Sequence, residues 1–234
     1  MNNSQIINEL VANYEYLSSN SETSQEIIID KNLKEPNELT KLDSEGIQFI
    51  LVGDNPGTKE KINQEYFTRK GNGGSAGNYA RTFLDIARFY ESKRENPFNY
   101  LILNKTPFYS SSTKKLNIDS AVEQSIDYVI DTLNKLVKKN PSLLVLIVGI
   151  GKSAKLNQEF FSRLHTSMSV QLGQTLRFAK HFSNGNFHDQ WLRNDLIGMK
   201  NQGVSTLKSN INRIHIESLE VVKRNFKLDF EFRG

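Results

Sequence analysis

Four short, almost wholly apolar runs in the second part of the chain limit what it can become: Ile47–Val52, Tyr100–Leu103, Leu143–Val148 and Leu176–Ala179. Each has the length of a strand and lacks the polar alternation of a half-exposed one, which is how strands buried on both faces of a parallel sheet read. Longer segments of helical period lie between and after them, around 77–93, 118–138, 152–164 and 204–225. In 118–138, for example, Val122, Ile126, Val129, Ile130, Leu133, Leu136 and Val137 fall on one stripe. Strands alternating with helices predict right-handed crossovers and an α/β fold: a three-layer αβα sandwich around a central four-stranded parallel sheet.

The chain has 234 residues, of which 37% are hydrophobic, enough for one substantial core and too few for two average domains with a linker. No internal repeat is visible. Within this single domain, residues 1–46 precede the strands. Ile6, Ile7, Leu10, Val11, Tyr14 and Leu17 predict an amphipathic helix, and 18–46 is mostly polar and reads as a loop or extended wrap over the surface. The core spans 47–190, and a last helix, 204–225, follows.

The sequence has no cysteine, which excludes disulfides, thiolate zinc sites, cysteine-held iron–sulfur clusters and a thiol nucleophile. The longest apolar run, Leu143–Ile150, falls well short of the ~20 residues of a membrane span. The first thirty residues contain no Lys or Arg to open a signal peptide, so a cytoplasmic protein is expected. The net charge is +4, and because Glu9, Glu15, Glu22, Glu26 and Asp30 are concentrated at the start, the body is more basic than that figure. A basic body favours polyanions but is shared by many enzymes without such partners.

In an open parallel sheet, ligands sit beyond the carboxyl ends of the strands. The first strand runs into Gly53-Asp54-Asn55-Pro56-Gly57, followed by Glu60. A turn accounts for these residue types. The same positions would also let one carboxylate and one carboxamide orient a water between them. Gly71–Gly77 is glycine-rich and leads into a helix, so it is either a flexible loop or a source of N–H groups for an anion. Asn104 closes the second strand, as a local cap or as a donor–acceptor pair suited to the edge of a base. After the third strand, Gly149-Ile150-Gly151-Lys152-Ser153 imitates a Walker loop. Leu146 stands where that loop needs its first glycine, so the glycines are read as allowing close strand-to-helix packing. His181 follows the fourth strand, whereas His165, His188 and His215 are read as packed or surface residues. The His181 and His188 spacing matches no usual metal site.

In this order, the segments resemble the uracil-DNA glycosylase superfamily. Gly53-Asp54-Asn55-Pro56-Gly57 is similar to the Gly-x-Asn-Pro-Gly of its mismatch-specific and single-strand-selective branches, and Pro56-Gly57-x-x-Glu60 to the thermophilic iron–sulfur branch. Phe67 stands where members keep an aromatic that stacks on uracil, and Gly74-Ser75-Ala76-Gly77 resembles the segment that opens the next helix. Asn104 matches the Asn that reads the uracil edge, and His181-Phe182-Ser183 resembles the His-Pro-Ser motif with Phe182 in place of Pro. The resemblance spans about 47–190.

It implies hydrolysis of the N-glycosidic bond of uracil or a related deaminated base in DNA. Asn55 would hold the water, Asp54 would polarise it or bind the base edge, and His181 would stabilise charge on the leaving base. Asn104, Phe67 and Gly53 would bind the base, and Ser75 and Ser183 would bind DNA phosphates. The resemblance implies no cofactor and no metal, DNA as partner, and a monomer. Two other readings stay open: a catalytically silent DNA-binding protein on the same fold, and a hydrolase or binder of nucleosides or nucleotides.

Overall fold

The computed structural model describes residues 1–68, 76–92, 99–182 and 207–227. Its centre is a sheet of β1 (Phe49–Gly53), β2 (Tyr100–Asn104), β3 (Leu144–Val148) and β4 (Leu176–Ala179), ordered β2-β1-β3-β4 and parallel throughout. Each predicted strand is present, β4 with the expected bounds and the other three with one or both ends shifted by a residue or two. Every residue of β1 and β3 is buried, because both faces of the sheet are covered.

The helices described are α1 (Asn3–Asn20), α2 (Pro36–Ser44), α3 (Thr58–Asn63), α4 (Ala76–Ser92), α5 (Ser120–Lys139), α6 (Lys155–Ser167), α7 (Val170–Thr175) and α8 (Leu207–Phe226). The chain moves from β1 to β2 in one direction, then from β2 across to β3 and on to β4 in the other. Right-handed crossovers therefore put α4 on one face and α5 and α6 on the opposite face. The packing adds that α5 lies against α6, α7 and α1, while α8 lies against β4 and touches both α4 and α6. Three layers result, with β1 and β3 at the centre.

Local sequence explains the long helices. The Asn2 side chain caps α1 in a reciprocal box with Gln5, and the predicted stripe from Ile6 to Leu17 is its buried face. Asp119 caps α5 by accepting from the Val122 N–H, and the apolar stripe predicted for that helix is buried.

The stretch 18–46 departs from the expected loop or wrap. A 3₁₀ turn at Lys31–Leu33, capped by Asp30, leads into α2, which Pro36 opens and which buries Leu39 and Leu42. Two buried residues in a nine-residue helix leave too thin a stripe to stand out from polar neighbours. The short helices α3 and α7 were not foreseen either, and α3 buries none of its residues.

Candidate active site

The chain leaves β1 toward β2 on one side and later reaches β3 on the other, so the topological switch lies between the carboxyl ends of β1 and β3. A cavity of about 280 Å³ opens beside this point, lined by Asp54, Asn55, Phe67, Gly77, Asn104 and His181 among others. Five residues singled out in the sequence thus meet in one cavity: Asp54, Asn55, Phe67, Asn104 and His181. A neighbouring cavity of about 740 Å³ shares Asp54 and His181 and extends along Gly149–Ala154. Ser75 and Ser183 lie outside the described residues.

Gly53 lies behind two of the lining residues, Asn104 and Phe67. It pairs in register with Asn104 across β1 and β2. A Cβ at Gly53 would stand 2.5 Å from Asn104 Oδ1 and 2.7 Å from the Phe67 ring, so only glycine lets the carboxamide and the ring lie this close. Gly77 plays the same part for α4: a Cβ there would lie 2.2 Å from the Thr68 carbonyl oxygen.

The two carboxamides carry the chemical signal. Asn55 donates from Nδ2 to the carbonyls of Pro56 (3.1 Å) and Ser110 (3.3 Å), which fixes the orientation of the amide. Its Oδ1 is buried without a partner, and so is Asn104 Nδ2; among the described residues no other buried side-chain polar atom lacks one. An unpaired buried polar atom costs about 1–3 kcal/mol, so two of them lining one cavity call for a ligand or water. Both residues line the cavity, and each carries one unsatisfied polar atom, an acceptor in Asn55 and a donor in Asn104.

Asp54 is positioned by a residue that no strand-end motif marks. Lys105, next to Asn104, is fully buried, and its Nζ lies 2.6 Å from Asp54 Oδ1. The same ammonium faces the carbonyls of Val148 (2.9 Å) and Gly149 (2.7 Å) and Asn157 Oδ1 (2.7 Å). Burial lowers the Lys105 pKa, and the Asp54 carboxylate opposes this. Four acceptors, from the turn after β1, from β3, from the loop after β3 and from α6, converge on one cation, which ties the switch point together. One oxygen of Asp54 is committed to Lys105. Asn55 Oδ1 keeps its acceptor capacity.

Gly149 serves a different purpose from the packing expected of it. Its φ is +82°, and a Cβ would come 2.1 Å from Asp54 Oδ1, whereas nothing lies within 4 Å of a Cβ placed on Gly151. Gly149 therefore makes room for the Asp54 carboxylate in a left-handed turn, rather than for close strand-to-helix packing.

His181 flanks Phe67, with ring centroids 6.3 Å apart. Burial holds its pKa below the ordinary imidazole value; Asp54 pulls the other way and Lys105 adds to the lowering. The lowered pKa favours the neutral imidazole, which carries a single N–H. Phe182 is fully buried, edge-on to Phe67 at 5.7 Å and 6.0 Å from Phe83. The side chain standing where the resemblance has Pro is a core residue supporting the wall of the cavity.

Fold and site define a three-layer α/β protein with a polar pocket at the switch point of its sheet. No protein-family model matches the chain, and no curated protein matches it in sequence. No helix among the described residues is long and apolar enough to cross a membrane, and no group of three or more His, Asp or Glu among them could hold a metal ion.

Proposed function

We propose that the protein is a DNA base-excision glycosylase that hydrolyses the N-glycosidic bond of uracil or a related deaminated base. The observation that carries this reading is the pair of unpartnered atoms, Asn55 Oδ1 and Asn104 Nδ2, in one cavity walled by Phe67 and His181. A flipped uracil supplies what each lacks. Its O4 accepts from Asn104 Nδ2, and a water standing at C1′ donates to Asn55 Oδ1. Phe67 lies alongside the ring, and the resemblance of the strand-end motifs to the uracil-DNA glycosylase superfamily supports the same assignment.

In the reaction the C1′–N1 bond breaks and both its electrons leave with the base, giving an oxocarbenium-like sugar and a uracil anion. Water, held by Asn55, adds its oxygen to C1′, and its proton is released to solvent or to the anion. The neutral His181 N–H donates to O2, where charge develops, acting as a preorganised oxyanion-type donor. Asp54, held by Lys105, presents negative charge beside the developing cation. No step requires a metal or an organic cofactor. DNA would reach the cavity as a monomer's substrate, in a flipped or single-stranded state that costs a few kcal/mol at most.

The test is alkaline strand scission of labelled uracil-containing oligonucleotides, single- and double-stranded, by wild type and Asn55→Ala. The expected result is cleavage by wild type and a loss of at least ~100-fold in Asn55→Ala. Salt-sensitive DNA binding without any abasic product would replace this reading with that of a silent DNA-binding protein. Turnover of free nucleoside without DNA affinity would replace it with a nucleoside hydrolase.

A further inference from the structure

Phe67 is held in an unusual way. Its φ is +48°, in the left-handed region that side chains seldom adopt. Neither Phe67 nor Tyr66 belongs to a helix or strand, yet all four main-chain polar groups of the pair are taken, each by a side chain. The Tyr66 N–H donates to Asp30 Oδ2 (2.8 Å) and the Phe67 N–H to Glu60 Oε1 (2.7 Å). The Tyr66 carbonyl accepts from Arg81 Nη2 (2.8 Å) and the Phe67 carbonyl from Arg81 Nε (3.0 Å).

Each partner is itself anchored. The second oxygen of Glu60 accepts from the Gly57 N–H at 2.6 Å, so one carboxylate joins the Asp54–Gly57 turn to the aromatic wall opposite it. Asp30 also accepts from the Asn32 N–H at 2.8 Å and is buried. The N-terminal segment that carries it is sewn to the loop after β2. An isolated bridge joins Ile27 to Phe108, and the Ile28 N–H donates to Pro107 O while Tyr66 Oη donates to Ile28 O. Side-chain hydrogen bonds to backbone in a low-dielectric site are strong when ionised and costly when broken.

We infer that Asp30 and Glu60, with Arg81, are positioning residues of the base pocket: they lock the backbone of Tyr66 and Phe67 so that the Phe67 ring is held against Gly53 and forms a fixed wall of the cavity. The proposal rests on the reading of the cavity as a base pocket. It extends the site into residues 1–46, a part of the chain that the family resemblance does not reach. A wall fixed in this way binds a ring with little ordering cost, so its loss weakens substrate binding rather than bond cleavage.

The test is a double-mutant cycle on Asp30→Asn and Phe67→Ala, with kcat and KM measured separately on a deoxyuridine oligonucleotide. Asp30→Asn is expected to raise KM about tenfold with kcat roughly unchanged, and the double variant to behave like Phe67→Ala alone. Additive losses, or a loss confined to kcat, would overturn the proposal. Amide exchange is measured alongside, with α5 as internal reference for global unfolding. In Asp30→Asn and in Glu60→Gln, the Tyr66 and Phe67 amides should exchange at least about tenfold faster while α5 is unchanged. If wild type excises no base, the glycosylase reading falls, and exchange then decides the lock: unchanged Tyr66 and Phe67 amides in both variants would overturn it.

Discussion

Lys105 Nζ sits 2.6 Å from Asp54 Oδ1, with the lysine side chain fully buried and the aspartate 13% exposed. The pair joins the carboxyl end of β1 to that of the edge strand β2, and the backbone carbonyls of Val148 and Gly149, at the end of β3, complete the ammonium's surroundings. Removing one member of a buried pair strands the other. Lys105→Met should therefore cost about 3–5 kcal/mol, read as a lower urea midpoint with unchanged slope. Adding Asp54→Asn should restore part of the loss, because the uncompensated carboxylate is then gone. Equal stability of Lys105→Met and wild type would show that the pair holds nothing together.

Gly53→Ala separates fold from function. The added methyl meets Asn104 Oδ1 and the Phe67 ring at 2.5 and 2.7 Å, so both must move. An overpacking cost of about 1–3 kcal/mol is expected, leaving a folded protein with an altered pocket. Thermal denaturation should show a moderate drop in Tm, while uracil excision falls far more than it does for a methyl added on the exposed α3 surface. Full activity in Gly53→Ala would mean that the ring and the carboxamide are not used as proposed.

Asp30 and Glu60 make stability depend on pH in a definite direction. Burial raises both pKa values above 3.8 and 4.5, against the lowering effect of the backbone N–H bonds they accept. The native state thus holds these protons to higher pH than the unfolded chain does. Their contribution is fully present below about pH 4 and is lost as pH rises through the folded values. Asp30→Asn lacks its share of this slope, so the Tm gap between wild type and variant should narrow from pH 4 to pH 7. A gap that widens over that range would show that Asp30 is ionised more readily in the folded protein than in the unfolded one.

The strands could be read from sequence because burial on both faces leaves no polar alternation to confuse the pattern, and β1 and β3 are buried at every residue. The cavity residues could be read because a parallel sheet puts its chemistry at strand ends, where Asn55, Asn104 and His181 stand. Lys105 was opaque for a physical reason. A lysine is normally a surface residue, and this one is buried only because Asp54, Val148, Gly149 and Asn157, distant in sequence, converge on it. Asp30 and Arg81 were opaque in the same way, since their partners are main-chain groups of residues that form no regular element. Gly149 showed the limit of motif reading: its freedom serves the Asp54 carboxylate, which no local pattern announces.

The all-parallel order β2-β1-β3-β4 also bears on how the protein comes into being. Phe49 pairs with Tyr100 on one side and with Leu144 on the other, so β1 has no partner close in sequence and every pairing closes a long loop. Such topologies fold slowly, because the chain gives up loop entropy before non-local contacts repay it. Asn55, Asn104 and His181 come from the ends of three different strands, and Asp30 docks from a fourth segment. The complete pocket therefore exists only once β4, which brings His181, and the segment that carries Asp30 have joined β1 and β2, and ligand-dependent protection of the slowest-exchanging sheet amides would report the whole sheet at once.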